Sequence, residues 1–196
     1  MEKNMFLPRS TFLNLTIFIL SLLITAPAQA ALSQEDKVAI GTEITTIYRA
    51  ARGVIAKSQK LINDATKGDK GFSADVVITK TKENYKKATG NDFKMAAAGT
   101  LKAETQTALL NAIKEVLNNA QPLINEKGKG LKGFLPAIFA KQMGDGFNKN
   151  ISGKAHIKLT APKSYVRNRA NRPDKWEADI IENKFKNRRI LFKIRI

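Results

Sequence analysis

The sequence predicts an α+β fold, in which long N-terminal helices precede a mixed α/β part. Apolar residues recur at alternating three- and four-residue spacing along residues 33–66 and again along 100–120, which is typical of helices with one buried face. Residues 155–160 alternate between apolar and polar instead, which predicts a half-buried strand. Hydrophobic residues make up 43% of the 196-residue chain, which is enough to build a core.

Residues 1–30 have the pattern of a secretory signal peptide. Two basic residues precede an uncharged, mostly apolar run at 11–26, and Ala28 and Ala30 form a small-x-small cleavage site. A helix that spans a bilayer needs about 20 apolar residues, and this run is shorter. We therefore expect cleavage after Ala30 rather than an uncleaved membrane anchor, and a mature protein that is periplasmic or secreted.

The first two helices have recognisable ends. Ser33, with Asp36 three residues later, matches a capping box, so we expect the first helix over residues 33–66. Two glycines end it soon after. A second helix is expected over residues 73–90, although its VVIT run would favour a strand in isolation.

Two further helices are bounded by a capping residue and by prolines. Thr100 is the expected cap of a helix over residues 100–120, which Pro122 should stop. The helix expected over residues 134–149 has Pro136 in its first turn, where proline is tolerated.

The stretch that connects these two helices, residues 125–133, alternates glycine with lysine. Its spacing is not that of a P-loop, and no Ser or Thr follows a lysine where a nucleotide site needs one. We interpret it as a flexible basic turn.

The composition excludes several classes of site. The chain has no cysteine and one histidine, so thiolate zinc sites, iron–sulfur clusters, disulfides and cysteine nucleophiles are excluded. His156 is expected to be a solvated strand residue, because one ligand does not make a metal site. No spaced pair of carboxylates stands out either. We therefore do not expect an enzyme.

The charge is strongly basic and unevenly distributed. The chain has 34 Lys+Arg and 17 Asp+Glu, a formal net charge of +17. Residues 127–196 contain 18 basic and 5 acidic residues, whereas residues 31–126 contain 14 and 11. A secreted chain does not meet chromosomal DNA, and its aromatic residues do not interleave with the basic ones as stacking platforms would. Anionic lipid or envelope polysaccharide is therefore a more suitable partner than nucleic acid.

The polar stretch before the C-terminus carries the candidate ligand-binding residues Arg167, Asn168, Arg169 and Trp176. Guanidinium groups bind carboxylates and phosphates through paired hydrogen bonds, which favours an anion site. Equally, the arginines would pair with Asp174 or Glu177 and pin the loop. Trp176 lies in an amphipathic turn, which Asp174 or the proline before it would open, and we expect it to anchor the core. Stacking on a ligand is the alternative.

Three stretches resemble a known protein family: LKGFLPAIFAKQ at 131–142, KAHIKLTAP at 154–162 and VRNRANRPDKWE at 166–177. The upstream segment 100–113 fits as well. The family is a bacterial periplasmic domain of unknown function, also described as a c-type-haem, PAS-like (Tll-like) sensor domain. The resemblance implies a PAS-like mixed α/β core after the N-terminal helices, a sensing or ligand-binding function and c-type haem as the family's cofactor.

The chain departs from this family at its C-terminal end. In haem-bearing members the sequence continues well beyond the WE motif and carries a C-x-x-C-H attachment site, whereas this chain has no cysteine. We therefore expect no attached haem in this chain, at most a non-covalent pocket, and a partial PAS-like domain over residues 31–185. The segment 186–196 is expected to be a basic tail produced by truncation or frameshift. Alternatively it forms an edge strand or lies on an anionic surface.

These observations support two functions. The first is a periplasmic sensor-like or ligand-binding domain that resembles the haem-binding PAS-like proteins but lacks their attachment cysteines. The alternative is a cationic envelope-interaction protein that binds anionic lipid or polysaccharide through its basic C-terminal half.

We predict that the chain exported by a bacterial host begins at Ala31, because signal peptidase cleaves after a small-x-small sequence. Intact-mass measurement of the exported protein checks this. Replacing the small residue at the cleavage site (Ala30→Arg) should leave the leader attached. An exported wild-type protein that still carries residues 1–30 would contradict the prediction.

Overall fold

The computed structural model of the chain describes residues 32–184 and 191–195. The predicted signal peptide lies outside the described residues, as do residues 185–190 and 196 of the C-terminal segment. The helices are α1 (Gln34–Lys57), α2 (Gln59–Ile62), α3 (Ala74–Thr89), α4 (Leu101–Ile124), α5 (Pro136–Asn150) and α6 (Lys175–Asp179), which continues as a π-helix over Ile180–Lys184. The strands are β1 (His156–Thr160) and β2 (Leu191–Arg195). None of the described helices is long and apolar enough to cross a membrane.

The core lies between α1, α3, α4 and α5, which pack as a helical bundle. Helix α1 packs mainly against α3 and α4 mainly against α5, and further contacts join α1 to α5 and α3 to α4. The apolar faces that the sequence pattern indicates point inward. The largest fully buried side chains include Ile44, Ile47, Ile55, Leu109, Ile113, Leu117, Phe139 and Phe147.

The predicted helix starts are confirmed. The hydroxyl oxygens of Ser33, Ser73 and Thr100 each accept a hydrogen bond from the backbone N–H three residues further on, at 3.0, 3.3 and 3.2 Å. Each bond satisfies one of the N–H groups that a helix leaves without an internal acceptor. The first predicted helix is interrupted at Ser58 and resumes as the single turn α2, so it ends at Ile62 rather than at residue 66.

The prediction that Pro122 stops the fourth helix was wrong, because α4 continues to Ile124 with the proline inside it. Proline lacks an N–H, so the carbonyl of Asn118, four residues earlier, loses its intrahelical donor. Asn118 lies on the exposed face of α4, where water can bind that carbonyl. The cost of the proline is therefore small enough for the packing of α4 to outweigh it.

A buried tyrosine joins two of the bundle helices. The Tyr48 hydroxyl, on α1, donates a hydrogen bond to the backbone carbonyl of Ala140 on α5. Burial raises the pKa of Tyr48 above its usual range, with a smaller contribution in the same direction from Asp145. The phenol therefore keeps its proton and remains a donor.

Strand β1 lies against α5 and is fixed by a side-chain amide. Asn148 donates from Nδ2 to the carbonyl of Ile157 at 2.8 Å, and its Oδ1 accepts from the N–H of Ile157 at 2.7 Å. This amide therefore satisfies the backbone groups of Ile157 on one edge of the strand. On the other edge, β1 pairs in antiparallel register with β2, Leu159 lying opposite Phe192. The backbone of 191–195 thus forms the strand that was one alternative for the tail.

The predicted PAS-like α/β core was wrong. The structure is mostly helical, with 64% of its residues in helices, and β1 is the only strand in the continuous range 32–184. After β1 the chain forms two short 3₁₀ turns, Lys163–Tyr165 and Arg169–Asn171, instead of further strands. Two prolines bracket these turns, and no apolar alternation exists there to bury a strand face.

Close packing of α4 on α5 makes Gly146 sensitive to substitution. A Cβ at Gly146 would lie 3.1 Å from the Cβ of Ala112. We predict that Gly146→Ala lowers the free energy of unfolding by about 1–2 kcal/mol, because the two helix backbones must separate. Urea unfolding followed by circular dichroism measures this.

The matched control is Gly53→Ala, also within a helix. There the new Cβ would lie 3.7 Å from Asn84 Nδ2, an ordinary contact. This variant should be more stable by about 0.5–1 kcal/mol, because glycine is costly inside a helix. Equal stabilisation by both substitutions would contradict the close approach of α4 and α5.

Candidate functional site

A buried ion pair organises the segment that follows β1. The Nζ of Lys158 lies 2.8 Å from Oε2 of Glu177 and 2.8 Å from the backbone carbonyl of Arg172. The Glu177 side chain is only 2% exposed and that of Lys158 22%. One ammonium group therefore ties β1 to the end of the arginine-rich loop and to α6.

The same glutamate starts helix α6. Asp174 accepts a hydrogen bond from the N–H of Glu177 at 2.8 Å, and Glu177 Oε2 accepts from the N–H of Asp174 at 2.7 Å. This reciprocal arrangement is a capping box, and it confirms that Asp174 opens the predicted short helix. Both acidic side chains of the loop are thus used within the fold.

The structure places the candidate residues Arg167, Asn168 and Arg169 together on an exposed loop. Asn168 has a local structural role, because its Oδ1 accepts from the N–H of Ala170 at 3.0 Å and begins the second 3₁₀ turn. Trp176 is 58% exposed on α6, so the expectation that it anchors the core was wrong.

The arginines do not pair with the loop's own acids. Within the part of the chain that the structure describes, no carboxylate forms an ion pair with the basic side chains of this segment, which are Lys163, Arg167, Arg169, Arg172 and Lys175. The sequence left open whether the arginines bind an external anion or pair with Asp174 or Glu177. The described residues favour binding of an external anion.

Sequence reasoning missed one member of this region. Tyr165, in the first 3₁₀ turn, is 71% exposed. The available signal was an aromatic residue flanked by basic ones in KSYVR, so the statement that aromatic residues do not interleave with basic ones was wrong for this stretch. We call the exposed set the basic–aromatic segment, which consists of Lys163, Tyr165, Arg167, Arg169, Arg172, Lys175 and Trp176.

The haem that the family resemblance implies does not fit this chain. Covalent attachment needs cysteine thiols, and the sequence has none. The only histidine, His156, is exposed on β1. Across residues 32–184 and 191–195, no cluster of three or more His, Asp or Glu side chains could hold a metal ion.

A solvent-open groove of about 460 Å³ between α4 and α5 is the alternative place for a small ligand. Its lining mixes apolar residues with charged ones, including Val116, Phe134, Ile138, Glu115, Asp145 and Lys149. No histidine lines it, so the groove offers haem no imidazole ligand.

Comparison with models of protein families, with curated proteins and with solved structures gives no match for this chain. The resemblance to the PAS-like haem family therefore stays a prediction. Any function must be argued from the chain's own residues.

We predict that Glu177→Ala lowers the free energy of unfolding by about 3 kcal/mol, because it leaves the largely buried Lys158 ammonium without its carboxylate. The control is Glu104→Ala, which removes a 2.6 Å ion pair with Lys154 between more exposed side chains. That loss should be below about 1 kcal/mol. Urea titrations of both variants check this, and equal losses would contradict the structural role of Glu177.

Proposed function

We propose that this protein is a peripheral envelope-interaction protein that binds anionic lipid surfaces through its basic–aromatic segment. One observation carries the proposal: exposed arginines and lysines lie in the same segment as exposed Tyr165 and Trp176, while Asp174 and Glu177 within that segment form hydrogen bonds inside the fold. The predicted leader would bring the chain to the compartment where such surfaces occur.

Charge is the first support for this function. Residues 154–177 contain seven Lys or Arg and two Asp or Glu. The two acids, Asp174 and Glu177, form the capping box of α6, and Glu177 also binds Lys158. Lys154 and Lys158 pair with Glu104 and Glu177, so the five basic residues of the basic–aromatic segment supply the charge available for binding. Each basic residue near an anionic bilayer contributes about 1 kcal/mol to binding.

The exposed aromatic rings favour lipid over a purely polar polyanion. Tyrosine and tryptophan have an apolar body and a polar hydrogen-bonding tip, so they partition to the headgroup level of a bilayer. Trp176 is 58% exposed on α6, so more than half of its accessible surface faces solvent. A membrane interface would cover that area.

The sensor-like function has weaker support in the described residues. It rested on a PAS-like core, which the helical structure replaces, and on a cofactor whose attachment residues this chain lacks. The groove between α4 and α5 is open to solvent and carries both acidic and basic side chains. We therefore favour the lipid-binding alternative.

We predict that Arg167→Gln/Arg169→Gln weakens partitioning onto phosphatidylglycerol vesicles by about 30-fold at low salt, from about 1 kcal/mol per charge. Vesicle sedimentation over a range of NaCl concentrations measures the partition coefficient. Binding should fall as salt rises, because salt screens a charge-driven contact.

The matched control removes two exposed lysines from α3, Lys80→Gln/Lys87→Gln, so both double variants have the same net charge. Its partition coefficient should change less than threefold. Equal loss in both variants would show that only the net charge matters. If the protein binds dextran sulfate as strongly as vesicles, and Trp176→Ala weakens neither, the ligand is a general polyanion and the proposal of lipid is wrong.

A further inference from the structure

The loop between α4 and α5 is held in a fixed shape by a buried lysine. Lys132 is 4% exposed, and its Nζ donates hydrogen bonds to the backbone carbonyls of Glu126 and Lys129. Its own N–H donates to Asn63 Oδ1 at 2.9 Å. The flexible basic turn expected for residues 125–133 was therefore wrong, because the loop wraps around an internal ammonium group.

The adjoining loop is fixed in the same way. Lys70 donates from Nζ to the carbonyl of Ile124 at 2.6 Å and to that of Lys67 at 2.9 Å, so it caps the C-terminal end of α4. The N–H of Gly128 donates to the carbonyl of Ala65 at 2.8 Å, which joins the two loops. Desolvation, followed by the charge of Lys70, lowers the pKa of Lys132.

This fixed loop holds apolar side chains in solvent. Leu131 is 78% exposed, and Leu135 and Ile138, at the start of α5, are 43% and 44% exposed. Lys127 and Lys129 are exposed beside them, and Lys129 contacts Glu126 at 3.1 Å. An apolar tip with flanking lysines differs from the basic–aromatic segment, in which arginine predominates.

We propose that residues 127–138, which we call the apolar loop, insert Leu131, Leu135 and Ile138 below the headgroups of an anionic bilayer. This inference rests on the proposed function and adds a second, apolar contact to it. We choose lipid as the partner because the leucine side chains would enter the apolar acyl region, while Lys127 and Lys129 would pair with the lipid phosphates beside them.

Lys132 acts here as a positioning residue. Its ammonium is buried and bonded to two backbone carbonyls, so its charge is not presented to lipid, and these bonds hold residues 126–132 in a closed turn that includes Leu131. A prearranged loop inserts without first losing conformational freedom. Charge screening by salt does not weaken the burial of apolar side chains, so the loop supplies the part of the binding that remains at high salt.

The absence of native cysteine allows a single-site test. Leu131→Cys is labelled with an environment-sensitive fluorophore and mixed with phosphatidylglycerol vesicles that carry quenchers in the acyl chains. Val38→Cys is the matched control, because Val38 is 58% exposed near the start of α1, whereas the apolar loop contacts Gln59 and Asn63 beyond the other end of that helix. All variants share the same N-terminus, so any binding by the N-terminus is the same in the variants that are compared. We expect acyl-chain quenching at position 131 and none at position 38.

A second measurement uses unlabelled protein. Leu131→Gln/Leu135→Gln should lower the partition coefficient at high salt by at least tenfold, because two apolar side chains no longer enter lipid. Val38→Gln should leave it unchanged. Circular dichroism confirms that each variant is folded.

The outcomes separate this inference from the proposed function. If Arg167→Gln/Arg169→Gln weakens binding while position 131 is not quenched, the apolar loop is overturned and the basic–aromatic segment stands. If position 131 is quenched but the arginine variant binds normally, the loop stands and the segment fails. If wild-type protein does not bind vesicles, both are overturned. A change at position 131 that depends on protein concentration without vesicles would assign the loop to self-association and overturn lipid insertion.

Discussion

The Glu177 carboxylate is the group on which the C-terminal part of this protein depends. It accepts hydrogen bonds from the Lys158 ammonium and from the N–H of Asp174, so it joins β1, the arginine-rich loop and α6 at one buried point. Because this contact uses a carboxylate that the arginines would otherwise attract, it has an electrostatic consequence as well as a structural one. Positive charge remains directed toward solvent at Arg167 and Arg169.

The same division between internal and external charge occurs in the loop before α5. Lys132 is satisfied by backbone carbonyls inside the loop, while Lys127 and Lys129 are exposed on it beside Leu131. In both places a buried charged residue fixes a loop that presents exposed basic and apolar or aromatic side chains. The helical bundle supplies the rigid base for both loops, and we place its function on these surfaces rather than in its core.

The features that the sequence predicted correctly depend on local interactions. The cap at Thr100 and the helices after it follow from neighbouring residues and periodicity. The features that it missed depend on distant contacts: the packing that carries α4 past Pro122, the carbonyls that bury Lys132, and the face on which Trp176 lies. The PAS-like core was inferred from resemblance over residues 131–177, and short similar stretches do not determine how the chain between them pairs.

The fluorescence of Trp176 offers the most direct measurement, because it is the only tryptophan and needs no label. Trp176 is 58% exposed in the free protein, so transfer of its ring into a membrane interface would reduce its contact with water. Titration with phosphatidylglycerol vesicles at low salt should shift the emission to shorter wavelength, added salt should reduce the shift, and phosphatidylcholine vesicles should not produce it. An unchanged spectrum at saturating anionic lipid would contradict the account, because the basic–aromatic segment would then not reach the membrane.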